Sequence, residues 1–116
     1  MTEQDVKLLL LDLCARLPYG VKIQYNNEIY YIDYISALYE EVKLDIPDNY
    51  TIGISEIKPY LRPISSMTEE ESEEFSNMEI VGYSNYDWLN AHHFDFRNLI
   101  EKGLAIEVTE ENNPYK

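Results

Sequence analysis

Cysteine, glycine and positive charge are scarce in this sequence. Its 116 residues include one cysteine, four glycines, and nine lysines and arginines against 22 aspartates and glutamates. One cysteine cannot form an internal disulfide, which excludes a disulfide-stapled secreted scaffold. The net charge of -13 opposes direct binding to nucleic acid and to anionic membrane surfaces, because both need clustered cations.

Long apolar runs are missing as well. The longest, residues 8–11, is far shorter than the ~20 residues that a membrane-spanning helix needs. The N-terminus has no basic stretch followed by an apolar run and a cleavage site, so we expect a cytoplasmic protein. The length, with 45% hydrophobic residues, predicts a single globular domain over residues 1–116.

Motifs of known chemistry are also absent. The sequence contains no glycine-rich phosphate loop, no nucleophile elbow and no spaced pairs of cysteine or histidine. Cys14 lies on the apolar stripe of the first predicted helix, where we expect a buried, inert thiol. The tightest group of potential metal ligands is His92, His93 and Asp95. Neighbouring histidines on a helix point in different directions, so we predict no metal site, no cofactor and no enzymatic activity.

Hydrophobic periodicity predicts an α+β fold. Apolar residues from Val6 to Leu17 recur at three- and four-residue steps, which is typical of an amphipathic helix beginning near Thr2. Residues 21–56 alternate instead, with a hairpin turn at Asn26-Asn27 and further strands over 37–44 and 50–54. We predict a small curved antiparallel sheet or partial barrel from residues 21–56. The N-terminal helix and short C-terminal helices should cover it.

The second half of the chain predicts shorter elements. Two prolines four positions apart, Pro59 and Pro63, exclude a continuous central strand or helix and predict a short turn followed by an extended crossing segment. A capping box of Thr68 and Glu71 begins an acidic, exposed helix anchored by Phe75. Further helices are predicted over 85–92 and 95–102, the second ended by a left-handed glycine at 103, and strands over 78–83 and 104–108. Residues 110–116 lack apolar periodicity and should fray.

Three stretches, with the sequences DLCARLPYGV (12–21), IKPYLRPISSMTEEE (57–71) and DWLNAHHFDFR (87–97), resemble small proteins carried by phages and mobile elements of gut bacteria. They occur in the same order and span the chain, and residues 21–56 differ most. The resemblance implies a mobile-element setting and a compact single domain. It implies no activity, so no catalytic residue is carried over.

Tyrosines and acidic residues point to protein interaction. The chain has 11 tyrosines, several of them around one predicted hairpin, and tyrosine is favoured at interfaces. Residues 64–116 hold 3 basic and 12 acidic residues, a field that attracts basic surfaces. The candidate binding surface comprises Tyr30, Tyr31, Tyr34, Glu70, Glu71 and Glu74. We predict a non-enzymatic module for a protein partner with a basic surface.

Two alternatives stay open. The first is a small metal-dependent enzyme that uses His92, His93 and Asp95. The second is an acidic DNA mimic that blocks a host nucleic-acid-binding protein, since a mobile element has use for such an inhibitor and the C-terminal half is strongly acidic.

Overall fold

The protein folds as one α+β domain built on a mixed sheet. The computed structural model describes residues 1–47, 51–78 and 83–116. Within them the helices are α1 (Glu3–Arg16), α2 (Glu69–Asn77) and α3 (Tyr83–Ala91). The strands are β1 (Lys22–Tyr25), β2 (Glu28–Ser36), β3 (Glu41–Leu44), β4 (Ile52–Gly53), β5 (Lys58–Pro63), β6 (Phe94–Asp95) and β7 (Ile106–Glu107). None of the described helices is long and apolar enough to cross a membrane.

The sheet runs in the order β4-β3-β2-β1-β5-β6, and β7 also pairs with β5. All pairs among β1 to β5 are antiparallel, whereas β6 and β7 each lie parallel to β5. The predicted α+β class is therefore confirmed, with a helix at the N-terminus and short helices towards the C-terminus. The sheet stays open rather than closing into a barrel, and it continues beyond residue 56 because β5 joins it.

Helix α1 begins as its sequence predicts. Thr2 and Asp5 form a capping box in which each side chain accepts a hydrogen bond from the other's backbone N–H, both at 3.1 Å. The predicted burial of Cys14 is wrong, because its thiol is exposed. The buried side of α1 carries residues 9, 12, 13 and 16, so Cys14 lies outside it. Leu11, 59% exposed, is likewise outside the buried side.

The core brings α1, the sheet and the turn at residue 99 together. Its fully buried apolar side chains are Leu9, Leu13, Val21, Ile23, Val42, Leu44, Ile54, Ile57, Leu61 and Leu99. The β1–β2 turn falls where it was predicted, and both Asn26 and Asn27 adopt the positive φ angles, 53° and 65°, that such a turn requires. Strand β3 starts later than predicted, at Glu41, because residues 37–40 form a turn.

Strand β5 corrects the prediction that two prolines exclude a continuous central strand. It pairs with β1, β6 and β7. Pro59 is the second residue of β5 and Pro63 the last, so the missing N–H groups fall near its ends, where a strand tolerates them. Tyr60 and Leu61, in its middle, are buried. Strand β5 thus joins the N-terminal strands to the C-terminal elements.

The C-terminal region holds less regular structure than predicted. Residues 99–103 form turns instead of a helix. Asn98, just before them, takes a left-handed φ of 61°, which a right-handed helix does not accommodate. Gly103 has the predicted positive φ, 75°. Strand β7 occupies two residues of the predicted 104–108 strand. The predicted strand over 78–83 lies, apart from its ends, outside the described residues, as does residue 50 of the 50–54 strand.

Candidate functional site

The β2–β3 hairpin carries five exposed apolar and aromatic side chains along its length. They are Ile29 (49% exposed), Tyr31 (45%), Tyr34 (48%), Leu38 (81%) and Tyr39 (70%), and we call them the aromatic hairpin. Along β2 the exposed residues 29 and 31 alternate with the buried Ile32 and the half-buried Tyr30. A register shift between Ile32 and Tyr34 interrupts this alternation and leaves Tyr34 exposed. Residues 38 and 39 lie in the turn at the tip.

The three tyrosines predicted for the binding surface are thus divided between two environments. Tyr31 and Tyr34 belong to the aromatic hairpin. Tyr30 is half-buried and packs against the core, with its hydroxyl donating to Glu28 Oε2 at 2.7 Å. It supports the hairpin from the inner side of the sheet and offers less surface to a partner.

The segment that carries the aromatic hairpin holds more acidic than basic residues. Residues 28–45 contain five acidic residues and one lysine. That lysine, Lys43, donates to the carbonyl oxygens of Leu44 and Ile46, both at 3.1 Å. Its ammonium also lies 4.0 Å from Asp33 Oδ2. A second lysine, Lys22 of β1, lies with its ammonium 4.8 Å from the centre of the Tyr31 ring and donates to Pro114 O. The five acidic residues of 28–45 therefore outnumber the two lysines of this surface.

The acidic helix α2 is fastened to the sheet through Glu71. The Arg62 guanidinium, on β5, donates to both carboxylate oxygens of Glu71, at 2.7 and 2.8 Å. Glu71 also accepts from the backbone of Thr68 at 2.9 Å, which completes the predicted capping box. The hydrogen bonds from Arg62 lower the pKa of Glu71 to about 2, although partial burial opposes them. Glu71 is therefore a structural residue of this helix.

The other two predicted glutamates stay on the surface. Glu70 is exposed, and so is Glu74, whose carboxylate accepts a hydrogen bond from Trp88 Nε1 at 3.1 Å. The half-buried Phe75 ring lies 5.3 Å from the Trp88 ring, so this predicted anchor contacts α3. Helix α2 has no buried residue. The predicted glutamate set thus contains one internal ion-pair member and two exposed acids.

A cleft of about 730 Å³ opens between the start of α2, the His92–His93 turn and the C-terminal segment. Its lining includes Arg62, Glu71, His92, His93 and Tyr115. His92 Nδ1 lies 3.5 Å from Glu71 Oε2. His93 takes a left-handed φ of 65°, and its ring stacks on Tyr115 at 3.7 Å.

The His93 imidazole is held in its neutral form. Burial is the main reason why its pKa falls to about 4, and the nearby charges of Arg16, His92 and Arg62 lower it further. A neutral imidazole at pH 7 has one donor and one acceptor nitrogen. In this environment its ring serves mainly as a flat stacking surface for Tyr115.

The three residues of the metal alternative are used for other contacts. The His92 ring lies 4.2 Å from the Trp88 ring at a tilt of 34°, and His93 stacks on Tyr115. Asp95 accepts from the backbone N–H groups of Leu99, at 3.0 Å, and Ile100, at 2.9 Å, so it caps the following turn as predicted. Across the described parts of the chain, no three His, Cys, Asp or Glu side chains are arranged to hold a metal ion.

Sequence reasoning missed a buried charge cluster. Arg16 Nε donates to Asp12 at 2.8 Å, and Arg97 Nη1 donates to the other oxygen of Asp12 at 2.6 Å. The side chains of Asp12 and Arg16 are fully buried. Arg16 also donates to the carbonyl of Phe94 at 2.6 Å. The four-residue spacing of Asp12 and Arg16 was the available signal, because such residues face each other on a helix.

The expected fraying of residues 110–116 does not extend to Pro114 and Tyr115. Residues 110–112 are exposed, but Tyr115 is half-buried and stacks on His93. The Lys22 ammonium donates to Pro114 O at 2.6 Å. Aromatic burial and hydrogen bonds to distant residues hold this short segment, and neither has a periodic signature in the sequence.

Comparison of the chain with protein-family models, with curated proteins and with solved structures finds no match. The resemblance to phage and mobile-element proteins therefore stays a prediction. The function has to be argued from the chain's own surface and geometry.

Proposed function

We propose that this protein is a non-enzymatic interaction module whose aromatic hairpin binds a protein partner with a basic surface. The observation that carries the proposal is the exposure of Leu38 and Tyr39, 81% and 70%, at the hairpin tip. Ile29, Tyr31 and Tyr34 extend the exposed apolar surface along β2. Exposed apolar clusters with a polar surround mark interaction sites. Tyrosine contributes contact area at a small cost in side-chain entropy.

The charge around the aromatic hairpin selects the kind of partner. The acidic residues of 28–45 attract a basic surface and repel an acidic one. The exposed glutamates of α2, which is attached to β5, add to the net negative charge that acts at longer range. A second copy of the chain would place like charges against one another, with -13 on each copy. Basic proteins such as nucleic-acid-binding proteins are therefore the proposed partner class, which includes the case of DNA mimicry. The proposed setting is the cytoplasm, where an exposed thiol such as Cys14 stays reduced.

The decisive experiment compares three forms of the immobilised protein as bait in bacterial lysate. The first is the native chain, and the second carries Leu38→Ser and Tyr39→Ser. The control carries Leu11→Ser, which removes another exposed leucine, from α1. We expect the native chain and the control to retain the same basic protein, and the hairpin variant to lose it. The proposal is wrong if the retained protein is acidic, if all three forms retain it equally, or if none retains a specific protein.

A further inference from the structure

The hydroxyl of Tyr115 completes the ladder between β1 and β5. The register pairs Gln24 with Lys58 and Ile23 with Pro59, so Lys22 and Tyr60 would form the next pair. The backbone N–H of Lys22 and the carbonyl of Tyr60 are instead bridged by the Tyr115 hydroxyl. The N–H of Lys22 donates to the Tyr115 hydroxyl at 3.0 Å, and that hydroxyl donates to the carbonyl of Tyr60 at 2.7 Å.

The ring of the same tyrosine has its own contact surface. It stacks on His93 with a centroid separation of 3.7 Å and an interplanar angle of 9°. Burial raises the pKa of Tyr115 to about 12, so the phenol keeps the proton that it donates to Tyr60. The phenol of Tyr115 therefore contacts three groups: the N–H of Lys22, the carbonyl of Tyr60 and the imidazole of His93.

The segment that carries Tyr115 has few other attachments. Residues 109–112 are largely exposed and close a local turn in which Thr109 N donates to Asn112 Oδ1 at 2.6 Å. Beyond this turn, three long-range hydrogen bonds hold the segment. The Lys22 ammonium donates to Pro114 O, the Lys22 N–H donates to the Tyr115 hydroxyl, and that hydroxyl donates to Tyr60 O. Residues 109–116 contain no helix or strand, and a segment attached through a few side-chain contacts can open locally at a low free energy.

We propose that Lys22, Tyr60 and His93 form a binding pocket for a phenol side chain, which the chain's own Tyr115 occupies, and that residues 109–116 are a displaceable strap beside the cleft. A phenylalanine would fill the ring position but would leave Lys22 N–H and Tyr60 C=O without their bridge. The pocket is therefore selective for tyrosine over phenylalanine. This proposal is independent of the aromatic hairpin's role in partner binding.

The first test empties the pocket in the full chain with Tyr115→Ala and follows the histidines by NMR. The chain has two histidines, so their titrations are easily separated. We expect the His93 pKa to rise from about 4 towards the ordinary value of about 6.5, because water then reaches the ring. It should stay below that value, since Arg16, Arg62 and His92 still face it.

Added 4-methylphenol, the side-chain analogue of tyrosine, should then lower the His93 pKa again and restore protection of the Lys22 amide. Toluene, which has the same ring and methyl group without the hydroxyl, is the matched control and should be less effective. The proposal fails if the two compounds act equally, if neither acts, or if Tyr115→Ala leaves the His93 pKa unchanged. The amide signals of Val42 and Leu44, in β3, report whether the sheet is intact.

A second variant tests the hydroxyl without emptying the pocket, which keeps the test decisive if Tyr115→Ala fails to fold. Tyr115→Phe retains the stacked ring, so the His93 pKa should barely move. Loss of the bridge should speed hydrogen exchange at the Lys22 amide by roughly five- to tenfold. Tyr39→Phe, at the exposed hairpin tip, is the control and should leave that rate unchanged. An unchanged rate in Tyr115→Phe would overturn the proposed pocket.

Discussion

Arg62 and Glu71 form a two-pronged salt bridge, with nitrogen–oxygen distances of 2.7 and 2.8 Å, that joins β5 to α2. The pair is partly buried, at 21% and 16% side-chain exposure. Arg62 also stacks over the Phe94 ring at 4.2 Å, so one guanidinium contacts both α2 and β6. Helix α2 has no buried residue of its own, so this contact is its main attachment to the sheet, while Phe75 attaches it to Trp88 of α3.

Removing the Glu71 charge should therefore weaken the fold. We expect Glu71→Gln to lower the free energy of unfolding by about 1–2 kcal/mol, because a charge-assisted pair and part of the capping box are lost. The matched control is Glu70→Gln, one residue away and exposed, which should change stability by less than ~0.5 kcal/mol. Urea denaturation at pH 7 measures both. If the two substitutions change the free energy of unfolding equally, the contact between Arg62 and Glu71 does not stabilise the fold.

The same pair predicts how stability depends on pH. The pKa of Glu71 is lowered in the folded protein, from 4.5 to about 2, so its stabilising contribution is fully present above the unfolded value of 4.5. That contribution should be lost progressively as the pH falls from 4.5 towards 2. The melting temperatures of the native chain and of Glu71→Gln should therefore converge over this range. If the melting temperatures of the two forms keep the same difference down to pH 2, the lowered pKa of Glu71 is contradicted.

The buried cluster around Asp12 should be more sensitive than any surface pair. Asp12→Ala would leave the fully buried Arg16 guanidinium without its carboxylate, at a cost of about 3–5 kcal/mol. Lys7→Met breaks the Glu3–Lys7 pair on the same helix, which spans 3.9 Å between exposed side chains. This control should change stability by less than ~1 kcal/mol. If Asp12→Ala and Lys7→Met lower the free energy of unfolding by similar amounts, burial of the Asp12 cluster does not increase its contribution to stability.

The exposed acids of α2 should affect partner binding without affecting the fold. Replacing Glu70, Glu73 and Glu74 with Gln should leave the melting temperature unchanged or slightly raised, because like charges at three- and four-residue spacing repel one another. The amide oxygen introduced by Glu74→Gln can still accept the hydrogen bond from Trp88. Affinity for the basic partner should fall, and the native affinity should weaken as salt rises. Titration calorimetry at two salt concentrations measures both affinities. If the native chain and the triple variant bind the partner equally well, these acids have no role in binding.

Local patterns predicted several elements and part of the candidate site. The capping box of Thr68 and Glu71 and the Asn26-Asn27 turn depend on residues a few positions apart, so they can be recognised in the chain itself. Tyr31 and Tyr34 were likewise assigned to a hairpin, because tyrosine-rich alternation is local. What could not be predicted was which of these residues has a distant partner. Glu71 has the sequence context of a surface acid, and only the fold brings Arg62 beside it.

The sequence by itself determined the α+β class, the first helix and the acidic, tyrosine-rich character of the surface, because periodicity and charge are properties of neighbouring residues. Only the tertiary structure decided that β5 is a central strand in spite of Pro59 and Pro63. It also decided that Cys14 faces outward and that Tyr115 bridges Lys22 to Tyr60, across 93 and 55 positions of the chain. Such contacts depend on where the chain returns to itself, and that arrangement is set by the packing of the whole core.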